Sequence, residues 1–340
     1  MLIKKHSNIK LQNWWALVVC LIIVSLVLSG CGSAQSSKVY HVGILNDGGN
    51  FSAIGDGFKA KMTALGYVEG QNIVYSMQNA NADPNAEKSM AKLLVDAKVD
   101  LIMTFPAPPT TAAYEATKGT NIPVVFAYFQ VEDNGLVKSV RQPGGNMTGV
   151  RYPGTELMTR RIELLHEIAP QVKRVWIGYD KNGANVPVAL AALRSAAAQT
   201  GITLVEVPAT AKSELAADLA ARAGSTDLGM DAILTMPDSF NTSPDGFAVL
   251  SKFAADHNLP LAGGLASQAD QGALFINGTD FTSVGELAAP LADKILKGTQ
   301  AGTIPLVSPE QTLVINYKVA QALGLTVPDG LLKLANKIIR

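Results

Sequence analysis

One pattern constrains this chain more than any other: a strand–helix order runs through it twice. VYHVGIL from Val39 opens the first run, and VKRVWIGYD from Val172 opens the second. DLIMTFPAP at Asp100 returns as DAILTMPDS at Asp231, and NIPVVFA at Asn121 returns as NLPLAGG at Asn258. GNMTGV from Gly145 is answered by GALFIN from Gly272. Corresponding segments lie between 127 and 137 residues apart, which marks a duplicated unit. The strand candidates are nearly continuous apolar runs. Such strands are buried on both faces, and the helical patterns between them supply the cover. Helix signals agree: Asp83 stands at an N-cap before Pro84, and Gly66 ends the pattern that starts at Phe51. The expected fold class is α/β, with two similar doubly wound parallel-sheet lobes.

About 60 residues after Asn277 belong to no third copy. They read as an amphipathic helix (DFTSVGELAAPLADKILKG), a short strand in LVSPEQTLVIN and a closing helix in VPDGLLKLANKII. A tail of this kind is expected to cross between the lobes and complete both. The predicted division is 39–150 with about 279–307 for the first lobe, and 151–278 with about 308–340 for the second. A multi-strand hinge and a cleft follow from several inter-lobe connections.

The N-terminus reads as an address. Lys4, Lys5 and Lys10 precede an apolar run over 14–28, and residues 1–30 hold no acid. The run is short for a membrane span and has the layout of a signal peptide. Leu28-Ser29-Gly30-Cys31 resembles the bacterial lipobox. That resemblance implies cleavage before Cys31 and lipidation of its thiol. Residues 31–38 then form a polar tether to a membrane. Cys20 leaves with the leader, so no disulfide is expected within the mature chain. The mature balance becomes 25 basic against 28 acidic side chains. Neither that nor the full chain's 28 against 28 makes an electrostatic case for nucleic acid.

In parallel α/β sheets, ligands bind beyond the carboxyl ends of the strands. Those ends nominate Asn46 and Asp47, Phe105 and Pro106, and Tyr128 and Phe129 in the first lobe. The second lobe offers Tyr179 and Asp180, Pro237 and Asp238, and Gly263 and Gly264, with Tyr152 at the first crossover. Thr110 or Thr111 caps a helix that starts at the cleft, either as a carboxylate site or as an ordinary cap. The aromatic set Phe105, Tyr128, Phe129, Tyr152 and Tyr179 either sandwiches a flat ligand or packs in the core and hinge. Asp238 is placed to neutralise a ligand ammonium, with Asp47 and Asp180 as competitors.

Enzyme signatures are missing. The sequence contains no G-x-S-x-G, G-x-x-x-x-G-K-[ST], H-E-x-x-H or C-x-x-C, and 43–49 lacks dinucleotide-binding spacing. No cofactor, catalytic residue or metal ligand set is expected. His6 is in the leader, and His41, His166 and His257 sit within predicted elements away from strand ends.

LGYVEGQNI from Leu65, PGGNMTGV from Pro143, RRIELLHEIAPQVKRVWI from Arg160 and QGALFINGTDFTSVGELAAPLADKILKG from Gln271 together resemble ABC-transporter substrate-binding lipoproteins of the tryptophan-binding type. The likeness extends through VINYKVAQALGLTVPDGLLKLA. It implies a type I periplasmic-binding-protein fold with three hinge crossovers, an aromatic amino acid as ligand, and delivery to a membrane permease with its ATPase. It also places ligand loops at 46–52, 105–111, 128–132, 179–185 and 237–241, which brings in Asn241. Three loops depart from the family's habit: 105–111, 131–133 and 237–241. A monomer is expected. The same domain could instead serve a membrane receptor as a sensor.

Overall fold

The computed structural model describes residues 38–132 and 135–340. The leader, Cys31 and most of the tether lie outside the described residues, as does Asp133. The first sheet contains β1 (Tyr40–Asn46), β2 (Ile73–Asn79), β3 (Leu101–Phe105), β4 (Val124–Phe129) and β5 (Met147–Arg151). Its order is β2-β1-β3-β4-β5, parallel throughout. The second contains β6 (Arg174–Asp180), β7 (Thr203–Ala209), β8 (Ala232–Leu234), β9 (Leu261–Gly263), β10 (Phe275–Gly278), β11 (Thr312–Asn316) and β12 (Lys337–Ile339). They run in the order β12-β11-β10-β9-β8-β6-β7.

Alternation along one strand feeds two cores. In β1, Val42 and Ile44 face a cluster with Ile54, Phe58 and Ala288, while Leu45 faces Ala91, Leu94 and Ala113. Both faces are dry, which is why the strand reads as an unbroken apolar run. Burying one such aliphatic side chain stabilises the fold by about 1.5–3 kcal/mol. The second lobe repeats the arrangement: Ile177 packs with Leu165 and Leu193 on one face, and Trp176 with Leu219 and Phe247 on the other.

Helix Phe281–Leu296 packs on helix Ser52–Ala64 in the first lobe. Two glycines make the approach possible. A Cβ on Gly57 would lie 2.1 Å from the Thr282 carbonyl, and one on Gly285 would lie 1.9 Å from the Ile54 carbonyl. The chain then passes Ile304, buried in the same cluster, and enters β11 of the second sheet.

Three crossovers therefore join the lobes: after β5, after β10 and between Val307 and β11. The first and third lie side by side. The Arg151 amide donates to the Val307 carbonyl at 2.9 Å, and the Val307 amide to that of Gly149 at 3.0 Å. The Arg151 guanidinium ties them further, donating to Glu132 Oε1 at 2.9 Å, to Ser308 Oγ at 2.7 Å and to Glu156.

Two details differ from the sequence reading. The second sheet is not wholly parallel, because β11 runs antiparallel to β10. The closing segment is not one helix but a helix over Asp329–Leu334 followed by β12. Asn336 causes the break: its amide donates to the Leu313 carbonyl and its Oδ1 accepts the Leu313 amide, both at 2.8 Å. That clamp holds the chain extended, and β12 pairs with β11 in parallel.

Candidate ligand-binding cleft

A cavity of about 440 Å³ opens where the carboxyl ends of both sheets meet the crossovers. The first lobe lines it with Asp47, Gly48, Gly49 and Phe51 after β1, with Pro106, Ala107 and Pro108 after β3, and with Tyr128 at the end of β4. The second contributes Asp180 and Gly183 to Asn185 after β6, Pro237 to Ser239 after β8, and Leu265. Tyr152 and Phe281 enter from the first and second crossovers. Each of the five loops named from the resemblance puts at least one residue on this surface.

Tyr128 is the centre of the apolar wall. Its φ is +58°, a conformation that costs a non-glycine residue about 1–3 kcal/mol and persists only where the surroundings enforce it. The register of β4 against β5 shifts between Ala127 and Phe129, so Tyr128 is the extra residue of a bulge. Bulges re-aim a side chain, and this one turns Tyr128 out of the sheet toward the cleft. Its ring meets Tyr152 at 4.6 Å, Phe281 at 4.9 Å and Phe51 at 5.8 Å between centroids. Phe51 and Phe281 close the group at 5.3 Å. Burial pushes both tyrosine hydroxyls above their ordinary range, so they stay protonated as donors.

Asp238 is the buried acid of the opposite wall, 7% exposed. It caps the short helix that follows it, accepting the amides of Phe240 at 2.9 Å and Asn241 at 3.1 Å. The Asn241 side-chain amide donates to both carboxylate oxygens and, at 2.9 Å, to the Gly178 carbonyl. Burial nevertheless dominates and raises the Asp238 pKa. Asp47 is half-buried, with one carboxylate oxygen buried and without a hydrogen bond, and its pKa is likewise raised by burial. Glu87 stands close behind it and is pushed up by burial and by the Asp47 charge.

The remaining sequence candidates do not reach the cavity. Asn46 is buried and builds the loop instead, accepting the Gly48 amide at 2.8 Å. Phe105 is 1% exposed and belongs to the first-lobe core, because the strand directs it inward and Pro106 takes the surface position. Phe129 is likewise core. Thr110 and Thr111 are not caps. The helix starts at Ala107 with Pro106 before it, so both threonines lie one turn in. Thr110 bonds Thr104 Oγ1 and the Pro106 carbonyl, each at 2.7 Å, and Thr111 bonds the Ala107 carbonyl. Tyr179 packs in the second-lobe core and donates to Glu206 at 3.1 Å. Asn241 is fully buried and positions Asp238. Gly263 lies in β9 and does not line the cavity.

Phe51, Phe281 and Arg161 were not singled out from sequence. Phe51 and Phe281 start helices rather than end strands, so a strand-end rule passes over them. Arg161, 3% exposed, lies in the electrostatic field of Tyr128 and Tyr152. It donates to the carbonyls of Asn277 at 2.9 Å and Thr235 at 3.1 Å. A nearby tyrosine pair and two strand-end carbonyls are contacts that only the fold assembles.

Residues 42–339 match the family model described as ABC transporter substrate binding protein. A "Tyrosine-binding protein" of Clostridioides difficile (strain R20291) is 27% identical over 334 residues, covering 93% of this chain and 94% of that protein. A Streptococcus pneumonia ABC domain solved in complex with L-Trp superposes with a TM-score of 0.77 at 24% identity, over 89% of this chain and 100% of that one. The ligand-free, open structure of a Clostridium difficile substrate binding protein with adhesive properties gives 0.70 at 25% identity, over 88% and 99%. With the family match spanning nearly all of the described fold, this chain belongs to the ABC transporter substrate-binding proteins.

Proposed function

We propose that the cleft captures an aromatic amino acid or a close relative, and that the lobes close on it about the three crossovers. The observation that carries this reading is the composition of a cavity lined by both lobes: four aromatic rings on one side and, on the other, a buried carboxylate with no cationic partner among the described residues. Rings in this geometry cover a flat apolar group, and Asp238 or Asp47 faces an ammonium. A volume of about 440 Å³ suits a solute of that size. The related proteins described with tyrosine and with L-Trp support the same class. A ligand that touches both walls favours the closed form by its differential contacts alone, so no covalent step or cofactor is needed.

Family membership supports delivery as the next step, in which the closed protein hands its solute to a membrane permease driven by an ATPase. The lipobox-like segment at Cys31 supports an extracytoplasmic, membrane-tethered position. A thermal-shift titration of the purified protein against tyrosine, tryptophan, phenylalanine, sugars and nucleosides tests the ligand class. Ligand at 1,000 times its Kd adds about 4 kcal/mol, which moves Tm by several degrees. A shift with sugars or nucleosides and none with the three amino acids would overturn it.

A further inference from the structure

The charges on the cavity wall are of one sign. Among the described lining residues the side chains charged at neutral pH are Asp47, Asp180 and Asp238, and no lysine, arginine or histidine reaches the surface. None of the three acids forms an ion pair among the described residues. Asp238 and Asp180 accept only backbone and amide donors, and one oxygen of Asp47 is buried with no donor. Arg161, a buried cation in the electrostatic field of Tyr128 and Tyr152, is 3% exposed and is not among the residues that line the cavity. Its Nε and Nη1 are spent on the carbonyls of Asn277 and Thr235.

A zwitterion placed here meets two different environments. Its ammonium finds unpaired carboxylates and the π-faces of a ring cluster, both of which attract cations. Its carboxylate finds three like charges and no side-chain cation, so its binding depends on neutral donors alone: backbone amides, the Tyr128 and Tyr152 hydroxyls, and the side chains of Asn185, Ser239 and Ser243. The wall offers the positive end opposite charges and the negative end only neutral donors set against like charges.

We propose that the ammonium is the group this cleft requires and the α-carboxylate is dispensable, so that arylalkylamines are ligands in their own right. This rests on the aromatic-ligand reading above and sharpens it: tyramine, which keeps the ring and the ammonium of tyrosine and drops the carboxylate, binds at least as tightly as tyrosine. The aryl propionate, which keeps the ring and carboxylate and drops the ammonium, does not bind.

Isothermal titration calorimetry on the purified full-length protein in detergent tests this with three ligands: L-tyrosine, tyramine and 3-(4-hydroxyphenyl)propionate. The expected result is a tyramine Kd equal to or below that of tyrosine, with the propionate weaker by about 100-fold or more, since it leaves buried carboxylates unpaired and adds a like charge. Asp47→Asn, which leaves the Asp238 cap untouched, is expected to weaken tyramine by about tenfold. Tyrosine binding with tyramine tenfold weaker, or the propionate matching either amine, would overturn the proposal and leave the aromatic amino-acid reading standing. Heat from none of the three, nor from tryptophan or phenylalanine and their amines, would overturn both.

Discussion

Tyr128 shows how much one residue can decide. A bulge at a strand end turns it to the cleft, while its neighbour Phe129 stays in the core. No pattern of apolar residues distinguishes YF at the end of β4 as one outward and one inward ring. The same limit explains the candidates that fell into the core. Strand ends were legible from hydropathy, but at β3 the face reversed, so Phe105 is core and Pro106 lines the cleft. Phe105→Ala is therefore expected to cost about 3–5 kcal/mol in chemical denaturation, as a core truncation does. Asp238 and Asp47 separate by the same logic. Asp238→Asn disturbs the cap and the Asn241 bonds, and should lose about 1–2 kcal/mol of stability as well as affinity. Asp47→Asn should lose affinity with stability nearly unchanged, and paired titration and melting curves distinguish the two.

The raised pKa values of Asp47, Asp238 and Glu87 set a pH dependence with opposite signs for folding and binding. An acid whose folded pKa lies above its unfolded value takes up its proton first in the folded state. Acidification from neutrality therefore favours folding at these sites. An ammonium ligand needs the ionised carboxylate, so its affinity falls through the same range. Asp227 and Asp245, held down to about 2 by Arg174 and Lys212, act the other way. Their contribution to folding is present above the unfolded carboxylate range and is lost only as pH falls through it toward 2. As pH falls from neutrality toward the ordinary carboxylate range, the free protein's Tm should hold or rise while the ligand-induced shift shrinks. A ligand shift that grows on acidification would contradict this assignment.

At the scale of elements, helices and strands that repeat between the two halves were readable because each carries its own signal. Asp83 accepts the amides of Asn85 and Ala86 as an N-cap should, and Gly201 ends its helix at φ +69°. What could not be read were features that depend on a distant partner. The antiparallel turn of β11 and the break at Asn336 are set by contacts with β10 and Leu313, not by local propensity. The crossing of helices Ser52–Ala64 and Phe281–Leu296 is another such feature. Gly57 and Gly285 look like poor helix residues in sequence, yet each sits where a Cβ would strike the other helix's backbone. Gly285→Val is expected to destabilise by more than about 3 kcal/mol, because backbone must move to admit it. A variant that melts like the parent would mean that the helices do not approach this closely.

The described residues form two lobes, each with a core on both faces of its sheet, linked by three crossovers, with the aromatic cluster and Arg161 where those crossovers meet the sheets. The duplication made the two-lobed plan legible from sequence alone, since each half repeats the same burial pattern. The cleft's position was also legible, because strand ends from both halves must converge on it. Its chemistry was only half legible, since Phe51, Phe281 and Arg161 arrive from helix starts and the hinge. The central claim is that ligand bridges the two walls and shifts the lobes toward one another. Single-molecule fluorescence transfer between dyes on noncanonical residues at Leu93 and Val249, exposed on opposite lobes, reads that motion directly. A saturating amine or amino-acid ligand should move the population to higher transfer efficiency, with a midpoint equal to the calorimetric Kd. Ligand that binds by calorimetry yet leaves the distribution unmoved would contradict the account.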